Sequence, residues 1–231
     1  MDNTFIEICR KMSEEGINTQ DKAAFDSIVE TLIKKNRYGN DKITDLDGYD
    51  GEKLFGNTTL YPGCIYIFQY AAKNPILYDD GRDQFYWFDS LPIVLVTGFR
   101  NRTVSGINLN MCNMAVKTQI INSLYNLDPQ FYKEEAEQMV IKGQKPYSNN
   151  VSAIFLDKNK EKAFYDHITR ICKLKDTSFI YRTYSISNIL NPRMVEVWQY
   201  KYIPFLRYTG ELKNEILTRI WNISGMADYK I

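Results

Sequence analysis

The chain opens with apolar residues at helical spacing. Phe5, Ile8, Cys9 and Met12 fall on one face, and after Gly16 the set Phe25, Ile28, Val29, Leu32 and Ile33 repeats the stripe behind a capping Thr19. Each helix has a single apolar face, so it must lie on the rest of the chain or on a neighbouring subunit. The period is then lost. "RYGNDKITDLDGYDGEKLFGNTTLYPG" is rich in Gly, Asn and Asp and predicts a long loop of the kind that makes contacts or carries function.

From Pro62 the spacing drops to two. "GCIYIFQY" sets Cys64, Tyr66, Phe68 and Tyr70 on one face and Ile65, Ile67 and Gln69 on the other, so the strand asks for cover on both sides. "AAKNPILYDDGRDQ" is a connection holding Pro75 and a "DDG" turn. "FYWFDSLPIVLVTGFRNRTVSGINLN" then supplies further short strands, one led by Pro92, with bends eased by Gly98 and Gly106. Helical spacing returns with Met111, Met114, Ala115, Thr118, Ile121 and Leu124, predicting a helix over residues 111–127. A second helix opens at Asp128 and Pro129, and a third, over 158–173, follows Phe164, Ile168, Ile171 and Cys172. A β segment at 178–187 and a last helix with Leu212, Ile216, Ile220 and Ile223 inward complete the chain.

No Pro/Ser-rich linker and no repeat divides this order. The expected fold class is α+β: a small curled β-sheet or SH3-like barrel with peripheral helices and a helical insertion. Residues 1–36 form an N-terminal helical arm and 37–231 a single α+β domain in this reading. Within the domain the β meander covers about 60–110, the helical insertion about 111–175, and the second β segment with the C-terminal helix about 178–225.

Composition narrows the function classes. The 231 residues are 44% hydrophobic and 25% charged, as in ordinary globular proteins, and the formal net charge is +1, so any pull toward nucleic acid must be local. No segment approaches the roughly 18 apolar residues of a membrane span, and the N-terminus lacks a signal-type apolar core, so no membrane contact and synthesis in a cytoplasm are expected. Cys9, Cys64, Cys112 and Cys172 form no CxxC pair and read as buried thiols, not zinc ligands or a redox centre.

The catalytic inventory is thin. The one histidine, His167, sits at helical spacing from Phe164 and Ile171, as a core or boundary residue does. There is no GxSxG, no GxxxxGK[ST] and no GxGxxG. Asp45, Asp47, Asp50 and Glu52 miss the register of a calcium loop, so no metal is expected. Asp79, Asp80, Asp83 and Asp89 leave a two-carboxylate site as the enzymatic reading, ranked last. No catalytic residue and no cofactor are expected.

One local field stands out. Arg170, Lys173, Lys175, Arg182, Arg193, Lys201 and Arg207 outnumber Asp176 and Glu196, and Tyr181, Tyr184, Trp198, Tyr200, Tyr202 and Tyr208 are interleaved with them. Such a mixture suits a phosphate polymer, with rings stacking on bases, and suits a protein interface equally well. Arg182, Arg193, Trp198, Lys201, Tyr202 and Arg207 are therefore the candidate subunit-facing or DNA-facing residues. Residues 41–89 are acidic on balance, and two opposite patches are what head-to-tail assembly in a ring uses.

The order of "YPGCIYIFQY", "FYWFDSLPIVLVTG", "GINLN", "YRTYSISNI" and "VWQYKYIPFL" resembles a family of small virion proteins of tailed bacteriophages. The matching residues are Pro62 and Gly63; Phe88, Asp89 and Pro92; Gly106, Asn108 and Leu109; and Arg182, Tyr184, Ile189, Trp198, Lys201, Tyr202, Pro204 and Phe205. The chain departs from the pattern at Asn110 and Met111, where a histidine and an aromatic residue are expected. The Asn-, Ile-, Lys- and Tyr-rich composition is compatible with a crAss-like phage.

The resemblance implies a non-enzymatic structural part of the neck, tail or baseplate. On this reading the chain is a ring-forming head-to-tail connector or tail-collar subunit in the virion. Its partners are copies of itself and other virion proteins such as portal or tail components. The alternative is a DNA-binding protein that protects or grips the packaged genome end through non-specific contact. Pro62, Gly63, Asp89, Pro92, Gly106 and Asn108 are expected to shape the β core, with the Asn108 amide bonding to nearby backbone.

Overall fold

The computed structural model describes residues 60–72, 75–79, 84–87, 89–132, 148–195, 197–205 and 214–226. The N-terminal helices, the acidic loop, Arg207 and all but the opening turn (128–132) of the helix expected from Asp128 lie outside the described residues. Among the described residues the chain is α+β. The strands are β1 (Ile65–Tyr70), β2 (Ile76–Asp79), β3 (Gln84–Trp87), β4 (Ile93–Arg100), β5 (Thr103–Asn108), β6 (Tyr181–Ser185) and β7 (Ile189–Met194). The helices are α1 (Met114–Leu127), α2 (Asn149–Leu156), α3 (Lys158–Ile171) and α4 (Asn214–Ile223), with a 3-10 segment at Val197–Phe205.

Five strands form an antiparallel sheet in the order β6-β5-β4-β1-β7. A flat sheet of that order would hold β6 and β7 about 19 Å apart, four gaps of ~4.8 Å. Yet they are joined only by the 3-10 turn Ile186–Asn188, and the four steps from Ser185 to Ile189 span at most about 14 Å. The sheet must therefore curl until its edges approach, which gives the half-barrel expected from the sequence. Ser185 N–H donates to the Tyr70 hydroxyl at 3.1 Å, tying β6 to the end of β1, and Ala71 N–H donates to Asn188 C=O at 2.9 Å, continuing the β1–β7 pairing.

Both faces of β1 are covered, as its two apolar faces require. Cys64, Tyr66 and Phe68 point into the barrel with Val94, Val96, Val104, Tyr184 and Ile189. Ile65 and Ile67 point outward, under α1, α2 and α3, into a core holding Leu95, Ile107, Ile120, Phe155 and Ile168. Ser148 Oγ caps α2 by accepting from Val151 N–H, and Asn113 Oδ1 caps α1 by accepting from Val116 N–H. Pro62 and Gly63 fasten this insertion to the barrel: Ser152 Oγ donates to Pro62 C=O at 2.7 Å. Gly63, at φ +86°, leaves room for Val151, whose Cγ1 would lie 2.5 Å from an added Cβ.

Several boundaries differ from expectation. The first insertion helix begins at Met114 because Leu109–Met111 is a 3-10 turn and Asn113 is the cap. Helix α2 occupies a stretch the periodicity left unassigned; it is eight residues long and buries only Val151, Ser152 and Phe155. Strand β7 contains Pro192, which the sheet tolerates because β7 is an edge strand and its register against β1 shifts between Ile67 and Gln69. In α4, Ile220 and Ile223 pack inward as expected, joined by Leu217 and Met111; Leu212 and the Ile216 side chain lie outside what is described.

The β4–β5 turn holds Asn101 at φ 43° and Arg102 at φ 64°. Two left-handed residues in a two-residue hairpin favour Asn-Gly. Arg102→Gly is expected to raise stability by about 1 kcal/mol, read as a higher midpoint in urea; an unchanged or lower midpoint would count against this turn.

Candidate functional site

Beside edge strand β6 lies a cavity of about 290 Å³, lined by Tyr70 at the end of β1, Ala72 and Ile76 on one side and by Arg182, Tyr184 and Asn188 on the other. Asp89 reaches it from the segment leading into Pro92, and is 3% exposed. The Asn108 Nδ2 amide donates to Asp89 Oδ2. Asn108 Oδ1 in turn accepts from Asn110 N–H at 3.0 Å, the local backbone bond the sequence suggests. Asn110 Nδ2 completes the chain by donating to Leu91 C=O at 2.9 Å. Backbone geometry thus fixes which way the Asn108 amide faces, and Asp89 must be the acceptor.

The second carboxylate oxygen, Asp89 Oδ1, is buried without a hydrogen-bond partner, and so is the Tyr184 hydroxyl. Both residues line the cavity. Burial pushes the Asp89 carboxyl up to about 6, against the pull of the Asn108 amide, the Arg182 guanidinium and Asn110. Burial also raises the Tyr184 phenol well above its ordinary value, helped by the negative charge of Asp89. The Tyr184 ring is held edge-on by Phe68 and Tyr70, with centroids 5.3 and 5.1 Å away. The ring is therefore rigid, and its hydroxyl, on which the Asn108 side chain also acts, is enclosed in the protein as Asp89 Oδ1 is.

A second polar cluster locks α3 onto β4. Thr97 falls at the register shift between Val96 and Gly98. Its hydroxyl donates to buried Glu161 at 2.9 Å and meets the Tyr165 hydroxyl, while Arg100 pairs with Glu161 at 3.8 Å. These groups satisfy one another, which is the behaviour of a structural joint.

The candidate residues separate. Arg182, half-buried on β6, belongs to the cavity, whereas Arg193 is exposed on β7 at the other end of the strand order. Trp198, Lys201 and Tyr202 lie in the 3-10 segment, next to Tyr200, which is 1% exposed and accepts from Ile65 N–H at 3.0 Å. Tyr181 stacks on Tyr165 at 4.3 Å. Tyr181, Tyr184 and Tyr200 are thus committed to packing and are not free to stack on bases. Pro92 is buried at the foot of β4, Gly106 lies against Leu95, and Asp89 and Asn108 are bonded to each other.

The enzymatic reading gains nothing here. Asp79 is exposed on the β2–β3 hairpin and accepts from Gln84 Nε2 at 2.7 Å, whereas Asp89 is buried; Asp80 and Asp83 lie outside the described residues. Among the described residues no group of His, Cys, Asp or Glu could hold a metal ion, and no described helix is long and apolar enough to cross a membrane. Cys64, Cys112 and Cys172 are free buried thiols, and burial pushes Cys112 up to about 12. No protein-family model, curated protein or solved structure matches the chain, so the site is read from its own geometry.

Proposed function

We propose that the chain is a structural subunit of a tailed-phage virion that assembles into a ring at the head-to-tail connector or tail collar. The observation that carries this reading is the β2–β3 hairpin, which among the described residues pairs only with itself and forms a separate two-stranded sheet. Its Ile76 packs against the α4 cluster, anchoring one face. Leu77 and Tyr86, directly opposed across the strands, are 46% and 64% exposed. An isolated hairpin is marginal in water, and a paired aliphatic and aromatic residue on such an arm is suited to burial against another subunit.

The joint substitution Leu77→Asp with Tyr86→Asp is expected to convert a ring to monomers, with fold stability changed by no more than ~0.5 kcal/mol because both side chains are exposed. Native mass spectrometry and a denaturation curve on the same preparation check this. Rings that survive the double substitution would remove the hairpin from the interface.

The DNA-clamp alternative draws less support, because Tyr181, Tyr184 and Tyr200 pack inside the fold and the Arg182 guanidinium acts on Asp89. The isolated chain is expected to bind duplex DNA weakly at physiological salt. Tight binding whose salt dependence falls by about one unit on Arg193→Ala would reverse this ranking.

A further inference from the structure

We infer that β6 is the receiving edge of the ring interface: β3 of one copy adds antiparallel to β6 of the next and extends the barrel sheet across the subunit boundary. This assignment rests on the ring reading and names the surface that the hairpin meets. The edges of a sheet are where it can gain a strand from another chain, and the five-stranded sheet ends in β6 and β7. The two ends are not equivalent. Strand β7 is blunted by Pro192, which has no N–H to give, and by its irregular register against β1. Strand β6 keeps unbroken register against β5.

The direction of the β6 backbone follows from its bonds. Asn108 N–H donates to Ile180 C=O and Ile186 N–H donates to Arg102 C=O, so Ile180, Arg182, Tyr184 and Ile186 turn their backbone groups toward β5. Thr183 and Ser185 must then turn theirs outward. Ser185 does so, its N–H reaching the Tyr70 hydroxyl. Thr183 is exposed, and its N–H has no partner among the described residues. The cavity of about 290 Å³ follows this edge, touching Arg182, Thr183, Tyr184 and Ser185, and no described strand fills it.

Charge selects the occupant and its direction. In sequence the stretch from Asp79 to Gln84 reads Asp-Asp-Gly-Arg-Asp-Gln, acidic on balance. The β4–β5 turn lies at the Ser185 end of β6, because Thr103 pairs with Ser185, and it carries exposed Arg100 and Arg102. When β3 runs antiparallel to β6, Gln84 falls at that same end and the acidic stretch meets the two arginines. Strand β2 already borders its own copy's cavity through Ile76, which leaves β3 as the outer strand of the arm. The four residues of β3 match the five of β6 in length. A hairpin set into a different surface of the next copy is a heterologous contact, the kind from which a ring is closed.

The test uses the full chain. Gln84→Cys and Ser185→Cys variants are mixed under mild oxidation, and a disulfide between positions 84 and 185 of different copies is expected in the peptide mass spectrum. Thr183→Pro removes the outward N–H and leaves the β5 ladder untouched. It should weaken assembly about tenfold in native mass spectrometry with an unchanged urea midpoint. Asp79→Arg and Arg102→Asp should each weaken assembly, and the two together should recover it; should Thr183→Pro lower the midpoint, this charge exchange decides in its place. A 185–185 disulfide, which sets two β6 edges back to back, would overturn the assignment, as would rings that survive both Thr183→Pro and Arg102→Asp. Wild-type rings without the 84–185 disulfide reject β6 as the receiving edge and leave the ring reading standing, whereas a chain monomeric at every concentration rejects both.

Discussion

Gly106→Ala is expected to destabilise the barrel by about 3 kcal/mol, at the upper end of the cost of overpacking a core. An added Cβ would sit 2.5 Å from the Leu95 carbonyl oxygen and 2.5 Å from Val94 Cγ1. The carbonyl cannot retreat easily, because Leu95 pairs with Ile107 on one side and Ile65 on the other. Both neighbours of Gly106 on β5, Ser105 and Ile107, are locked in register with β6 as well. Relief therefore requires shifting a strand, not a side chain. Equilibrium unfolding in urea checks it, and a loss below about 1 kcal/mol would mean that the β4–β5 contact is looser than described.

Asp89→Asn is expected to act in the opposite direction and to do so only above acidic pH. The folded carboxyl holds its proton to about pH 6, whereas its ordinary value is 3.8. Between these values the folded state binds more protons than the unfolded one, so stability falls as pH rises through the window and is fully present only below it. The difference corresponds to about 3 kcal/mol at pH 7. Asn is neutral throughout and can still accept from Asn108. The variant should therefore lose the slope between pH 4 and 6 and gain about 2–3 kcal/mol at pH 7. Unfolding curves across that range measure it; a variant less stable at pH 7, with the wild-type slope, would show that the charge supports the fold.

Much of the fold was legible because it rested on strong periodicities. Strand β1 reads as doubly buried from its residues alone, and α1, α3 and the strands β4 and β5 follow from spacing. The pairing of Asp89 with Asn108 was legible only as two members of one pattern, since their contact arises from the β4–β5 register and the turn into α1. Helix α2 was hidden because two buried apolar residues four apart define no period. Strand β7 was hidden because Pro192 argues against a strand unless the edge and the irregular register are known. The cavity could not be read at all: Arg182 and Tyr184 are successive inner and rim positions of a strand whose partner across the gap is set by closure of the sheet. In sequence they looked like members of one basic and aromatic surface. The curl turned one inward and left Arg193 facing solvent at the far edge.

The ring reading meets its most direct test in electron cryomicroscopy of the intact phage particle that carries this chain. The account predicts a closed ring of identical copies at the neck or tail collar, with the Leu77 and Tyr86 side of the hairpin buried against the next subunit. A particle without the chain, or one that holds it as a solitary peripheral copy with the hairpin open to solvent, would contradict it.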